Sequence, residues 1–192
     1  MEGTPVRRIH VATSNRHKIE ELNAVLAGCG YRAEPAPAPK VEIQGDDVAA
    51  IAVYAAASAY SVLGRPVLVE DAGLYVDALS GFPGPYSSYV FKTIGVAGLL
   101  RLLEGIDERR AVFRSALAYA GPWGVEVFTG EVEGSIADRP RGSLGFGFDP
   151  VFVPRGDTRT FAEMSLEEKS RYSHRARAAR KLCEWLRLHE PL

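Results

Sequence analysis

The spacing of apolar and polar positions changes period several times along the chain. Residues 7–13 alternate well enough for a first strand. Over residues 15–29 the period becomes helical: Ile19, Leu22, Val25, Leu26 and Cys29 share one stripe, and Gly28 and Gly30 are stop signals. A Pro-rich connector, PAPAPKVEIQGDD, is extended and poor in donors. Asp46 then caps an Ala-rich helix to about Ser61. Residues 67–70 read as a short buried strand, followed by a Gly turn and a second strand from Leu74. Residues 96–103 form a short helix. Residues 110–120 and 125–133 pair antiparallel around a GPWG turn. The sequence SLEE, Ser165 to Glu168, is a capping box. Ser173 caps a last helix to about Leu188 that buries Ala176, Ala179, Leu182, Cys183 and Leu186.

Two Gly- and Pro-rich aromatic stretches interrupt this pattern, SGFPGPYSSYVFKTIG and RPRGSLGFGFDPVFVP. Such loops seldom serve as filler in a compact domain. There is no internal repeat, low-complexity tract or long linker, so residues 1–192 are expected to form a single domain. The mixture of strands and helices argues for the α/β class.

Composition narrows the function classes. The chain has 192 residues, 46% of them hydrophobic and 24% charged, enough for a substantial core. A net charge of -1 disfavours a broadly basic nucleic-acid binder. The N-terminal MEGTPVRRIH lacks the apolar run of a signal peptide. The longest uncharged run, residues 48–63, is too short for a membrane span and reads as a buried helix. The two cysteines, Cys29 and Cys183, lie far apart without metal-site spacing. They read as reduced core residues of a cytosolic protein.

Four places break local rules. The first helix opens on Ser14 and Asn15 and then carries Arg16, His17 and Lys18, with Glu20 and Glu21 only afterwards. The positive end of a helix dipole favours acids there, so the inversion reads as an anion site at a strand–helix junction. The alternative is a solvated face with Arg16–Glu20 and His17–Glu21 pairs. The last helix repeats the inversion with His174, Arg175 and Arg177 ahead of Glu184 and Glu190, which reads either as a second side of the same anion site or as ordinary Arg decoration of an amphipathic helix. Glu70 and Asp71 close an apolar run, which is costly unless they are solvated, paired or metal-bound. Carboxylates suit magnesium, with Glu42 as a candidate partner, or else a turn Asp caps its own backbone. In LGFGFDP, Phe146 and Phe148 are spaced so that both rings could face one way. They form either a stacking platform for a base, with Asp149 accepting from a ring N–H, or two core residues. Together the four describe a nucleoside triphosphate pocket.

On the stretches TSNRHK, VEIQG, EDAGLYVDALSGFPGPYSSYVFKTIG, GFGFDPVFVP and TFAEMSLEEKSRYSHRARA, the chain resembles the inosine triphosphate pyrophosphatase family almost end to end. The resemblance implies an elongated, two-lobed α/β fold, with a long mixed twisted sheet flanked by helices and the active-site cleft between the lobes. It implies a cytoplasmic homodimer that hydrolyses ITP, dITP and XTP to the monophosphate and pyrophosphate with Mg2+. Carried over by motif, Thr13, Ser14, Asn15, Arg16, His17 and Lys18 hold the phosphates. Asp71 is the general base and a metal-site residue, Glu42 is a metal ligand, and Glu70 lies close by. Phe146, Gly147, Phe148, Asp149, Lys169, His174 and Arg175 surround base and sugar.

Two positions depart from the family pattern. Ala72 stands where a Ser or Thr is common, so only its backbone N–H is left to contact a ligand. No Lys occurs between Lys40 and Lys92, where the family often places one on the second helix, so phosphate charge falls to Arg16 or Lys92, or goes unmet. Competing readings are a pyrophosphatase for other modified bases, a nucleotide-binding module without turnover, and a nucleic-acid binder using HRARAARK.

Overall fold

The computed structural model describes residues 6–38 and 41–189. The expectations placed on residues 1–5, on residues 39–40 of the connector and on Glu190 lie outside them. The chain forms one mixed sheet with helices on both faces. β1 (Arg7–Val11) lies parallel to β2 (Tyr31–Pro35) and to β3 (Val67–Val76). β3 then continues antiparallel through β5 (Arg110–Gly121), β6 (Gly124–Ile136) and β7 (Phe152–Pro154), while the two-residue β4 (Pro83–Gly84) also pairs with β3.

The helical stripe of the first segment becomes α1 (Arg16–Leu26), and its Leu22 and Leu26 are fully buried. α1 packs with α6 (His174–Leu188) on β1, β3 and β5. On the other face α2 (Val48–Leu63) lays its alanines, Ala52, Ala55, Ala56 and Ala59, against Val67, Val69, Ala116 and Ala118. A third core gathers Leu74 and Val76 with Leu99, Phe113, Phe152 and Phe161, covered by α3 (Ser87–Thr93) and α4 (Gly95–Leu102). β3 and β5 therefore run through both lobes. Residues 70–73 of β3 fall between the cores, which places Asp71 where the lobes meet. α5 (Leu166–Tyr172) opens on the expected Ser165–Glu168 capping box and leads into α6.

The structure corrects several expectations. β3 is one unbroken strand, not two strands around a Gly turn. Gly73 sits inside it because β4 passes so close that a Cβ there would lie 2.4 Å from the Gly84 carbonyl oxygen. The strand is continuous and the glycine marks a close backbone approach. The cap of α2 is Asp47, not Asp46, and its side chain accepts from the Ala49 N–H at 2.9 Å. Residues 87–93, read as loop, form α3. Cys29 and Cys183 are not reduced. They form a disulfide, with Cα atoms 5.9 Å apart. Their sequence separation of 154 hid the contact, which arises because the end of α1 packs on α6. The cytosolic reading that rested on reduced thiols loses that support. Among the described residues no helix is long and apolar enough to cross a membrane.

Candidate active site

A cleft of ≈ 840 Å³ opens where β1 ends and α1 begins, beside the middle of β3. Its wall includes Thr13, Ser14, Asn15, His17, Lys18, Glu42, Asp71, Ala72, Phe146, Gly147, Phe148, Asp149, Lys169, His174 and Arg175. The residues singled out from the sequence are there except Arg16 and Arg177, which are exposed outside the lining, and Glu70, which is buried behind it. α3, not foreseen as a helix, adds Ser87, Ser88, Phe91 and Lys92.

The phosphate-type corner is built by the α1 cap. The Asn15 side-chain oxygen accepts from the backbone N–H groups of His17 (3.0 Å) and Lys18 (3.4 Å), and the Asn15 N–H donates to the Thr13 hydroxyl at 3.1 Å. Two of the N–H groups expected to meet an anion are therefore already used, and the corner relies more on side chains. His17 lies 3.5 Å from Glu20 rather than pairing with Glu21. No acid occupies the first turn, as the inverted charge pattern required.

β3 supplies the chemistry of the floor. Leu68, Glu70 and Leu74 direct backbone groups toward the edge shared by β1, Lys18 and Ser87. Strand alternation gives Ala72 the same direction, so its N–H faces the cleft even though the side chain carries no hydroxyl. Asp71 is 8% exposed and lines the cleft.

Behind the cleft lies a buried ion network. Lys169 Nζ donates to Glu21 Oε1 and to Asp149 Oδ2, each at 2.6 Å. Arg175 donates to Glu21 and, through Nε, to Glu70 Oε1 at 3.0 Å. Glu70 Oε1 also accepts from the Ser115 hydroxyl at 2.8 Å, and Lys18 Nζ lies 2.6 Å from Glu70 Oε2. Burial alone pushes the carboxyls of Glu21 and Glu70 up. The surrounding cations outweigh it: Arg175 and Lys169 hold Glu21 at about 2, and Arg175 and Lys18 hold Glu70 well below the usual range. Burial pushes the Asp149 carboxyl up, against Lys169. The network keeps Arg175 charged and fixed.

The aromatic groups divide. Phe146 stacks on His17, with centroids 5.3 Å apart and planes 10° apart, and it covers Lys169 and Arg175. Phe148 instead packs in the third core, edge-on to Phe91. The two rings therefore do different jobs, because the segment is a turn rather than a strand. Asp149 Oδ2 accepts from the Phe146 N–H (2.8 Å) as well as from Lys169, so that oxygen is committed within the protein.

His174 stacks on Phe113 at 4.7 Å, and its Nδ1 has no hydrogen-bond partner among the described residues. Burial, with Arg175 beside it, lowers its pKa to about 3, so the ring is neutral. Gly130 of β6 lets this helix start approach, since a Cβ there would lie 2.2 Å from the His174 carbonyl oxygen. The unfolded His takes up a proton near its ordinary 6.5, the folded one only near 3. Stability is therefore full above 6.5 and falls as the pH drops below it. Down to about pH 5 the Glu21 and Glu70 carboxyls stay mostly ionised in both states. Going from pH 6.5 to 5 should therefore cost about 2 kcal/mol through His174. Chemical denaturation across that window should show the loss, and His174→Gln should flatten it.

Sequence reasoning missed Glu21, Ser115 and Phe113. Glu21 had a readable signal: it lies three after Lys18 and four before Val25, on the buried side of the α1 stripe. Ser115 and Phe113 gave none, because only the pairing of β5 with β3 brings them here.

Fold and cleft together define an α/β protein whose cleft joins cations, carboxylates and an aromatic ring, the chemistry a nucleoside polyphosphate requires. A model of the Ham1 family matches residues 9–185, and the chain belongs to that family. The dITP/XTP pyrophosphatase of Hyperthermus butylicus is 61% identical over 185 residues, 96% of this chain and 97% of the relative. That of Saccharolobus solfataricus is 49% identical over 179 residues, 93% of each chain. Among solved structures, a HAM1 protein from Coxiella burnetii superposes with a TM-score of 0.82 at 31% identity, covering 95% of this chain and 99% of its own.

Proposed function

We propose that this protein hydrolyses the non-standard purine nucleoside triphosphates dITP, XTP and ITP to the monophosphate and pyrophosphate. The observation that carries the reading is one cleft holding Lys18, Asp71, Phe146 and Arg175, in a chain 61% identical to a dITP/XTP pyrophosphatase. Lys18, Ser14 and Asn15 meet the phosphates. Asp71 accepts the proton of the water that attacks the α-phosphorus. The Phe146 ring offers a face to the base, and Arg175, which has only donors, suits the 6-keto oxygen of hypoxanthine or xanthine. Adenine presents a donor at that place, and two opposed donors leave a buried group unpaired at a cost of about 1–3 kcal/mol.

The donor set fits Mg2+. Glu42 and Asp71 are hard oxygen ligands on one cleft, and this ion takes one or two carboxylates together with phosphate oxygens and water. Among the described residues no three metal-binding side chains converge, so substrate oxygens would complete the shell. Bound there, Mg2+ would offset the charge of the leaving pyrophosphate. We further place the protein in the cytoplasm as a homodimer. The exposed rings of Tyr86 and Tyr89 on the outside of the α3 region support a self-association surface.

The test is incubation with ITP, XTP, dITP, ATP and GTP plus Mg2+, followed by product separation. Pyrophosphate with the monophosphate, and ATP and GTP largely untouched, is the expected result. Free phosphate with the diphosphate would move attack to the γ-phosphorus and remove Asp71 from its role.

A further inference from the structure

The cations of the cleft differ in what they are already doing. Lys18 is 2.6 Å from Glu70, Lys169 lies between Glu21 and Asp149, and Arg175 lies between Glu21 and Glu70. Three cations face three buried carboxylates, so this network brings no net positive charge to a polyanion. The cleft also carries the carboxylates of Glu42 and Asp71. His174 is neutral at physiological pH, and Arg16 lies outside the lining.

Lys92 is different. It sits in the last turn of α3 and lines the same cleft. Among the described residues it makes no hydrogen bond, ion pair or ring contact. The next helix, α4, and the loop before α3 offer it no acid either: the sequence from Ser80 to Leu103 contains none. It is an ammonium on a long, rotatable stem at the wall of a pocket that, among the described residues, has no other uncommitted cation. α2, packed on β3 and β5, is uncharged from Val48 to Leu63 and contributes no residue to the cleft wall.

We infer that Lys92 is the side chain that adds net positive charge at the polyphosphate of the substrate, beside the already paired Lys18, reaching over from α3 to the oxygens that leave as pyrophosphate. This inference rests on the pyrophosphatase reading above. Lys92 acts as a point charge on phosphate oxygens and makes no contact with the base. Its contribution should therefore follow the number of phosphates on the ligand.

The test compares wild type with Lys92→Ala, Lys92→Gln and Lys92→Arg. Steady-state hydrolysis of dITP is measured, and calorimetry follows binding of inorganic pyrophosphate and of dIMP. Loss of one charge-assisted contact should raise KM for dITP and weaken pyrophosphate binding by about tenfold in Lys92→Ala and Lys92→Gln. dIMP binding and the unfolding temperature should stay near wild type, and Lys92→Arg should recover most of the loss. Raising the ionic strength should weaken pyrophosphate binding less in Lys92→Ala than in wild type. Unchanged KM and unchanged pyrophosphate binding in Lys92→Ala would overturn the inference while leaving the pyrophosphatase reading intact. Equal losses for dIMP and pyrophosphate would also overturn it, since they would mark a structural effect. If wild type hydrolyses none of the purine triphosphates, the functional reading fails, and the pyrophosphate titration alone still decides Lys92.

Discussion

Asp71→Asn should bind dITP and fail to hydrolyse it, with kcat lower by about 10²–10⁴-fold. Asn has nearly the shape of Asp, and it sits at the same place in the middle of β3, between the cores of the two lobes. Backbone pairing with Ala116 on β5 fixes that place, so the substitution does not move the residue. What changes is proton affinity: an amide oxygen does not take the proton that a nucleophilic water must lose. Lys18, Phe146 and Arg175 remain, so calorimetry should find dITP affinity within about tenfold of wild type, the size of one lost or gained charge contact. Turnover within tenfold of wild type would show that another group accepts the proton. Loss of dITP binding together with turnover would show that Asp71 mainly holds the site together. The pair of measurements also separates an enzyme from a nucleotide-binding module.

The readable parts of the fold were those governed by one local rule. The stripes of α1 and α6, the Ser165–Glu168 box and the long β5–β6 pair follow periodicity and capping, and each formed where the pattern placed it. The errors lie where a distant contact decides. Gly73 looks like a turn until β4 is known to press on it. Cys29 and Cys183 look like separate core thiols until α1 lies on α6. The candidate site was legible for the same reason in reverse: its residues break local rules, and the cost of inverted charges and strand carboxylates pointed to something that offsets it. Glu21 escaped because its place on the buried side of the α1 stripe was outweighed by its look of an ordinary second acid on a charged helix start. Its burial comes from Lys169 and Arg175, which are 148 and 154 residues away.

That buried position makes Arg175 the residue with the largest expected effect on stability. Its guanidinium faces Glu21 on one side and Glu70 on the other, and all three groups are almost inaccessible to solvent. Arg175→Ala leaves two carboxylates in the interior, with Lys169 and Lys18 as their remaining partners. Breaking a buried pair in this way costs about 3–5 kcal/mol, which for a chain of this size lowers the unfolding temperature by about 10 °C. The pH dependence identifies the cause. In wild type, Arg175 helps hold both carboxyls below their ordinary value of 4.5. That stability is present above about 4.5 and is lost as the pH falls further. Without Arg175, burial works against a weaker field and the folded-state values rise. His174, which Arg175 also holds down, is released as well, so the folded variant binds protons more readily than folded wild type and its deficit should shrink as the pH falls from 7.5 to 5. Urea denaturation at those two values reads the difference, and a deficit below about 1 kcal/mol, or one that does not depend on pH, would remove Arg175 from this role. The same residue couples stability to base choice. Each terminal nitrogen keeps a second N–H beyond those given to Glu21 and Glu70, so the guanidinium held by the two acids still presents donors to a 6-keto oxygen. Arg175→Ala should accordingly lose more activity on dITP than on ATP, narrowing the preference by about tenfold or more. Glu21→Gln keeps the guanidinium but loosens its hold. It should lose less stability and show a smaller narrowing, which distinguishes a donor that must be present from a donor that must be fixed.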